Sequence, residues 1–231
     1  MPQRYFVNEL NDTITGQDAH HITKVMRMKT GDEVIVCHQR SCFSVSLDIN
    51  QQEVRYKIIK KLTNPVTVDI TLIQGLPKHP KTETVVKYAT VYGVSSIIFT
   101  PMNRSIAKLE NSDKKLSRLK LIAKEASELA HRFDVPDILM IQSLKDLDLS
   151  VYDFVLLADE NQKTTSLKDA FNIDISNLKI AVIIGPEGGI SDQERQLLLS
   201  QKVVPVSLGQ YILPTEIASL YVLSYLSVKN S

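Results

Sequence analysis

Cysteine is scarce in this sequence, and long apolar runs are absent from it. Cys37 and Cys42 are the only cysteines. Without a second cysteine pair or a His-x3-5-His spacing they do not match a zinc site, and so few thiols suit a reducing compartment. No stretch approaches the roughly 20 apolar residues of a membrane helix, and the first residues lack the apolar core of a signal peptide. We therefore expect a cytoplasmic protein that binds no metal and contacts no membrane.

Sequence signatures of several enzyme classes are missing as well. The chain has no G-x-x-x-x-G-K-[ST] and no spaced G-x-G-x-x-G, which argues against a nucleoside triphosphate or a dinucleotide as ligand. Without a G-x-S-x-G motif, an α/β-hydrolase would lack its nucleophile. His20 and His21 are adjacent, so on a helix their side chains would point apart. We therefore interpret them as structural residues and not as metal ligands. The sequence looks like one that builds a binding site from backbone loops.

Charge is unevenly distributed along the 231 residues, although the net charge is only +1. Eleven Lys and Arg against seven Asp and Glu give residues 67–135 a net charge of +4, whereas residues 136–200 carry −6. The first 66 residues add +2. We expect a polyanion to dock on the first 135 residues.

The pattern of apolar residues changes near residue 66. Before it, short β-rich segments at 4–7, 33–37, 41–47 and 53–59 surround one expected helix from about Ala19 to Met28. A small β-barrel is the natural packing for such a segment. The polar stretch 60–65 ends in Pro65 and marks a boundary between domains 1–66 and 67–231.

The second domain alternates expected strands with expected helices. The strands are placed at 67–74, 94–100, 153–158, 179–184 and 203–208, and the helices at 81–92, 114–132 and 216–226. This alternation predicts an α/β domain with a mostly parallel sheet. Ser191 and Glu194 form a capping box that begins another helix, and Thr215 is expected to cap the last one.

Three loops of the second domain follow an expected strand directly and contain both glycine and proline. They are residues 75–78, 185–189 and 208–216. Because parallel strands end at the same edge of a sheet, the three loops can share one crevice. Exposed amides there could read the edge of a purine while Ile212 and Leu213 cover its face. The alternative is three unrelated turns.

Seven motifs, in order along nearly the whole chain, carry a resemblance to a known family. They are Gln3-Arg-Tyr-Phe-Val7; His20-His-Ile-Thr-Lys-Val-Met-Arg27 with Gly31-Asp32; Gly75-Leu-Pro-Lys78; Asn103-Arg-Ser105; Ala123-Lys-Glu-Ala-Ser-Glu128 with Arg132; Ile184-Gly-Pro-Glu-Gly-Gly189; and Val206-Ser-Leu-Gly209 with Ile212-Leu213 and Thr215-Glu216. The chain resembles the RsmE family of the SPOUT superfamily, bacterial methyltransferases that modify uridine at ring nitrogen N3 in small-subunit (16S) ribosomal RNA.

The resemblance implies a fold, a cofactor and partners. These are a C-terminal SPOUT-type α/β domain with a trefoil knot that holds S-adenosylmethionine, an N-terminal RNA-binding PUA-like β-barrel, 16S ribosomal RNA as substrate, and a homodimer. The residues implied to bind the methyl donor are Leu76, Ile184, Gly185, Pro186, Glu187, Gly188, Leu208, Gly209, Ile212, Leu213 and Pro214. Those implied to bind RNA are Arg4, Arg27, Lys78, Arg104 and Arg132, and the catalytic candidates are Thr215 and Glu216.

The chain departs from the family's pattern at positions expected to face the substrate. The last loop of the family reads L-G-x-R-I-L-R-T-E-T-A, whereas this chain has Tyr211 and Pro214 at the two arginine positions. Val91 stands where glutamate is expected, Leu129 where glutamine is expected, and His79-Pro80 where the family has Gly-Asp. Neither tyrosine nor proline can make the bidentate contact of an arginine.

Two functions fit these departures. The favoured one is a working methyltransferase that has rebuilt its RNA contacts. The other is a divergent member that binds ribosomal RNA, in an assembly or binding role, with little or no methyl transfer.

Overall fold

The computed structural model describes residues 2–50, 53–65, 67–109 and 112–229. The chain divides into two compact units. The first comprises Met1–Val66 together with Ser127–Val135, and the second comprises Thr67–Ala126 and Pro136–Ser231. The return of residues 127–135 to the first unit is a long-range feature that local sequence patterns do not reveal.

The first unit is built on a five-stranded sheet. Its strands are β1 (Arg4–Phe6), β2 (Thr13–Ile14), β3 (Glu33–His38), β4 (Ser41–Asn50) and β5 (Glu53–Lys61), in the order β1-β3-β4-β5-β2. Strands β1 and β3 are parallel, and the other pairs are antiparallel. Val45 and Leu47 of β4 and Val54 and Tyr56 of β5 are buried in alternation, because a sheet with one covered face buries every second side chain. The buried set includes Val34, Val36, Val45, Leu47 and Val54.

One helical segment interrupts these strands, earlier in the chain than the sequence pattern predicts. Helix α1 (Gly16–His20) continues into a π-helical turn at His21–Val25. The segment ends before Met28 because Arg27 adopts a φ of 51°, which no helix continues. The hydroxyl of Tyr5 lies 3.0 Å from Nδ1 of His21 and ties the turn to β1.

The two cysteines lie opposite each other on neighbouring strands. Cys37 of β3 pairs in register with Cys42 of β4, and the structure joins them as a disulfide. Both are fully buried beside Ile35, with Phe6 and Phe133 packed against them. The interpretation of these cysteines as a sign of a reducing compartment is therefore not supported by the structure, which brings them together through the register of a hairpin.

The second unit contains a six-stranded sheet in which every strand pair is parallel. Its strands are β6 (Asp69–Gly75), β7 (Ser96–Thr100), β8 (Asp137–Met140), β9 (Phe154–Ala158), β10 (Lys179–Ile184) and β11 (Val204–Val206), in the order β11-β9-β10-β6-β7-β8. The mixed α/β architecture with a parallel sheet is as the sequence predicts. Strand β8 was not expected, because its four residues give too short a pattern to distinguish from a loop.

The remaining helices follow the strands. They are α2 (Lys81–Val91), α3 (Ser112–Leu129), α4 (Leu167–Ala170), α5 (Asp192–Leu199) and α6 (Thr215–Lys229). The capping box predicted for α5 is present, since the hydroxyl of Ser191 accepts from the amide of Glu194 and the Glu194 carboxylate accepts from the Ser191 amide. No helix within the described ranges has the length and apolarity needed to cross a membrane.

The central strands of this sheet place the functional site. Leu72 and Ile73 of β6 and Val182 and Ile183 of β10 are fully buried, as expected for strands covered on both faces. From β6 the chain builds β7 and β8 on one side, and then β9, β10 and β11 lie on the other. The strand order therefore reverses between β6 and β10. In open α/β sheets, ligands bind beyond the carboxyl ends of strands at such a reversal.

Candidate functional site

A pocket of about 530 Å³ opens at the carboxyl ends of β9, β10 and β11 in the second unit. This volume is within the range of small-molecule and cofactor sites. Its lining comes from the loops after these strands, the start of α6 and one residue of α2. The lining residues are Lys81, Ala158, Asp159, Glu160, Lys163, Ile184 to Gly189, Ser207 to Thr215, and Ala218.

Ten of the eleven residues expected to bind a methyl donor line this pocket. They are Ile184, Gly185, Pro186, Glu187, Gly188, Leu208, Gly209, Ile212, Leu213 and Pro214. The eleventh, Leu76, is fully buried outside the lining, and its amide donates to the carbonyl of Thr100. Two of the three loops thus share one pocket, so the alternative of three unrelated turns does not hold.

One side of the pocket, residues 184–189, is held by hydrogen bonds from distant parts of the chain; we call it the fixed wall. The buried amide of Gln74 donates to the carbonyl of Gly185 at 3.3 Å and to the hydroxyl of Thr215 at 2.8 Å. That hydroxyl in turn donates to the Gly185 carbonyl at 2.5 Å. Three segments far apart in sequence therefore meet at one carbonyl.

The expectation that Thr215 caps α6 was wrong for this reason. Thr215 is the first residue of the helix and only 5% exposed, and its hydroxyl serves Gly185. The carbonyl of Pro214 instead accepts from the amides of Ile217 and Ala218.

The loop 75–78 contacts the fixed wall without lining the pocket. A Cβ on Gly75 would lie 2.6 Å from both the nitrogen and Cδ of Pro186, so only glycine permits this approach. The amide of Lys78 donates to the Glu187 carboxylate at 3.0 Å. On the opposite flank, a Cβ on Gly188 would lie 2.8 Å from the carbonyl oxygen of Arg104. Packing on both flanks leaves the wall little freedom to move.

The other side of the pocket, residues 207–214, is much less enclosed; we call it the open wall. Tyr211 and Ile212 at its tip are 76% and 87% exposed. Ser207 and Gly209 make a local pair of hydrogen bonds, each 3.3 Å long. Large apolar side chains exposed beside a pocket commonly mark a surface that a ligand or partner covers.

A fourth loop, residues 159–163 after β9, also lines the pocket and was not among the predicted donor-binding residues. The Asp159 carboxylate binds the guanidinium of Arg195 through two bonds of 2.6 and 3.0 Å. This pairing raises the pKa of Arg195. The amide of Asp159 also donates to the carbonyl of Val206 at 3.0 Å. The sequence does contain a signal that could have identified this loop. Asp159-Glu160 comes directly after an apolar strand, as the other loops do.

The two catalytic candidates have different surroundings. The hydroxyl of Thr215 is occupied by Gly185 and Gln74, so it shapes the fixed wall. The carboxylate of Glu216 lies 3.0 Å from the ammonium of Lys81, which lines the pocket. The same ammonium lies 3.7 Å from Glu187. A lysine between two carboxylates thus stands at the edge of the pocket.

Three of the five cations expected to bind RNA are exposed. Lys78 and Arg104 lie on loops of the second unit, and Arg104 donates to the carbonyl of Gly188 at 3.3 Å. Arg27 is exposed on the first unit.

The other two cations of this set are directed inward within the first unit. Arg4 is 6% exposed; its guanidinium donates to the carbonyls of His131 and Arg132 and lies over the ring of Phe133. Burial lowers its pKa. The guanidinium of Arg132 pairs with Asp134 at 2.8 Å. Both side chains contribute to the fold of this unit.

In the part of the chain that the structure describes, no three His, Cys, Asp or Glu side chains come together in a group suited to a metal ion.

Comparison with known proteins identifies the family. Residues 64–227 match the model of the RNA methyltransferase domain, and residues 14–41 match that of the RNA methyltransferase PUA domain. The chain is 32% identical to ribosomal RNA small subunit methyltransferase E of Bacillus subtilis, over 99% of this chain and 97% of that protein. The chain belongs to the ribosomal RNA small subunit methyltransferase E family.

Solved structures share this fold. The crystal structure of a hypothetical protein, 31% identical, superposes with a TM-score of 0.85 over 99% of both chains. Ribosomal RNA small subunit methyltransferase E from Neisseria gonorrhoeae, solved bound to S-adenosyl methionine, is 23% identical and has the same TM-score over 99% of this chain and 98% of that chain. At this identity the second likeness shows that this member of the methyltransferase E family shares its fold.

Proposed function

We propose that this protein transfers a methyl group from S-adenosylmethionine to N3 of a uridine in small-subunit (16S) ribosomal RNA. The observation that carries the proposal is the coincidence of the family match with a pocket at the reversal of the parallel sheet. Ten residues implied by the family resemblance meet in that pocket.

The pocket has the features that a nucleoside-based methyl donor needs. The fixed wall offers a closely held backbone, and the open wall offers apolar side chains of Ile212 and Leu213 to cover a flat ring. When bound, the donor supplies a sulfonium-activated methyl group. The protein's own task is to align this donor with the uracil nitrogen and to help that nitrogen lose its proton.

Glu216 is our candidate to accept the proton. It stands beside the pocket, and the ammonium of Lys81 pairs with its carboxylate at 3.0 Å. Thr215 contributes by positioning Gly185, because its hydroxyl is already engaged there.

RNA binding in this proposal combines the PUA-like domain, residues 1–66, with exposed cations. Arg27, Lys78 and Arg104 are available to phosphates, whereas Arg4 and Arg132 keep their charges inside the first unit. Phosphate contacts position the RNA without reading its sequence and weaken as salt rises. Residues 67–231 form the methyltransferase domain.

The trefoil knot, the homodimer and the cytoplasmic location are further parts of the proposal. Membership of the family supports a knotted carboxyl-terminal half, as the family resemblance implies. Ile217, Tyr221 and Val228 leave an exposed apolar stripe on α6, a face that a second copy could cover. Ribosomal RNA as substrate supports a cytoplasmic location.

Two measurements test the methyltransferase. Isothermal titration with S-adenosylmethionine is expected to show binding, and the protein is expected to methylate small ribosomal subunits from a strain that lacks the enzyme. Nucleoside analysis should then find 3-methyluridine. Absence of donor binding would overturn the proposal.

The second candidate function is RNA binding without methyl transfer. It is favoured by the two positions of the open wall where the family carries arginines, because Tyr211 and Pro214 stand there and line the pocket. Gly185→Val discriminates, since its side chain would clash with Ile190 and distort the donor pocket while leaving the exposed cations in place. If the wild-type protein binds the donor and yet transfers no methyl group to subunits, the second candidate replaces the first.

A further inference from the structure

We propose that the carboxylate of Glu160 binds the ribose hydroxyls of the methyl donor. The inference rests on the proposed function, since it assigns one part of the donor to one side chain. Glu160 lines the pocket from the loop after β9 and was not among the residues expected there.

The loop that carries Glu160 is anchored on both sides of this residue. Asp159, which precedes it, is buried and holds Arg195 through two short bonds, and its amide binds the carbonyl of Val206. After it, the amide of Asn161 donates to the Asp159 carboxylate at 3.0 Å, and Lys163 Nζ donates to the backbone carbonyl of Glu160 at 2.6 Å. The Glu160 side chain therefore starts from a fixed backbone, as a binding residue should.

The carboxylate lies at the end of the fixed wall. An added Cβ on Gly189 would be only 2.5 Å from Oε1 of Glu160 and 3.5 Å from Oε2. Both oxygens thus lie close to the backbone of Gly189, on the same pocket that Gly185 and Gly188 line. A ligand seated against the fixed wall would meet this carboxylate at one end.

The Glu160 carboxylate is also uncommitted. Among the described residues no hydrogen-bond or ion-pair partner engages its oxygens, while the nearby acid Asp159 is fully used by Arg195. Two free acceptor oxygens match two neighbouring hydroxyl groups, and carboxylates bind ribose hydroxyls in this way in other nucleotide sites.

Titration calorimetry with chosen ligands tests this assignment on the full-length protein. The ligands are S-adenosylmethionine, the uncharged-sulfur product S-adenosylhomocysteine, and the 2′-deoxyribose analogue of that product. In Glu160→Ala, we expect affinity for the first two to fall about 10-fold or more, since a charge-assisted hydrogen bond is lost. The 2′-deoxy analogue keeps only one of the two hydroxyls, so its affinity should fall by less, about threefold.

Glu125→Ala removes an exposed glutamate from α3 and provides the matched control, with unchanged affinity for all three ligands. Thermal unfolding of Glu160→Ala should match wild type, which separates lost binding from lost folding. A loss that is equal for the ribose and deoxyribose ligands would overturn the inference. So would a loss confined to S-adenosylmethionine, which would point to the sulfonium instead.

The same experiment distinguishes a failure of the Glu160 assignment from a failure of the proposed function. If wild type binds S-adenosylmethionine and Glu160→Ala binds all ligands equally well, only the role of Glu160 fails. If wild type binds none of them, the methyl-donor function itself fails, and the role of Glu160 with it.

Discussion

The fixed wall and the open wall face the same pocket but are built in opposite ways. The fixed wall is tied by Gln74 and Thr215 to the rest of the second unit and packed against Gly75 and Arg104. The open wall exposes its tip at Tyr211. A binding surface that is already in place costs little to order, whereas a mobile one must be ordered when the ligand arrives. We therefore expect the fixed wall to supply affinity and the open wall to respond to what is bound.

The largest effect should follow from pushing the fixed wall out of place. Gly75→Ala puts a methyl group 2.6 Å from Pro186, which neither backbone can avoid without shifting. We expect affinity for S-adenosylmethionine to fall by about 5- to 150-fold, as overpacking of this kind costs about 1–3 kcal/mol. Titration calorimetry measures the loss.

Gly31→Ala is the control for this prediction. Gly31 lies in the first unit with a positive φ and nothing within 4 Å of an added Cβ. The substitution should lower stability by about 1 kcal/mol and leave donor affinity unchanged. Equal donor affinity in Gly75→Ala and wild type would show that the wall is not fixed.

A smaller effect is expected from removing one hydroxyl behind the same wall. Thr215→Val keeps the shape of the side chain but loses the bonds to Gly185 and Gln74. Buried groups left unpaired cost about 1–3 kcal/mol, so we expect donor affinity to fall about 10-fold. Thr215→Ser retains the hydroxyl and should bind nearly as well as wild type. Donor affinity in Thr215→Val equal to that of wild type would show that these hydrogen bonds do not hold the wall.

Substitution at the tip of the open wall should change ligand response more than stability. Tyr211→Ala is expected to unfold within about 0.5 kcal/mol of wild type, because the side chain is exposed. The sequence contains no tryptophan, so Tyr211→Trp introduces a single fluorescent reporter. Its emission should shift when S-adenosylmethionine binds and orders this wall. An unchanged emission at saturating donor would contradict the contrast between the two walls.

The smallest effect on the donor is expected at the exposed flank of the fixed wall. Arg104→Ala removes one 3.3 Å bond to Gly188, and donor affinity should change by less than about twofold. RNA affinity, by contrast, should fall, and the slope of its logarithm against that of salt concentration should decrease by about 1. Lys108→Ala serves as the matched control, since Lys108 is also exposed and also lies within the positively charged residues 67–135.

The fixed wall is easier to predict from the sequence than the residues that hold it in place. The run Ala181–Ile184 followed by glycines predicts a buried strand and a close turn, because both properties are local. The bond from Gln74 to Thr215 spans 141 residues, and no local pattern encodes it. Thr215 shows the consequence, because its position at a helix start predicts a cap and its tertiary contact with Gly185 takes precedence.

Charged residues were the least predictable part. Motif matching assigned Arg4 and Arg104 the same role. Arg4 is nevertheless buried and donates to backbone carbonyls, whereas Arg104 is exposed. Exposure depends on the strands that fold over a residue. Asp159 and Glu160 illustrate the reverse case, since their place in the pocket depends on β9 lying next to β10 and β11.

The hydrogen bonds among Gln74, Gly185 and Thr215 determine when, during synthesis, the protein can become active. During synthesis, Gln74 emerges long before its two partners, which lie 111 and 141 residues further along. Contacts of such wide separation form late, because the intervening chain must first be brought together. We expect the strands that are synthesised first to lack their central neighbour β10 until it emerges. An incomplete chain on the ribosome should therefore have no functional pocket. Activity should arise only after the last helix has left the exit tunnel.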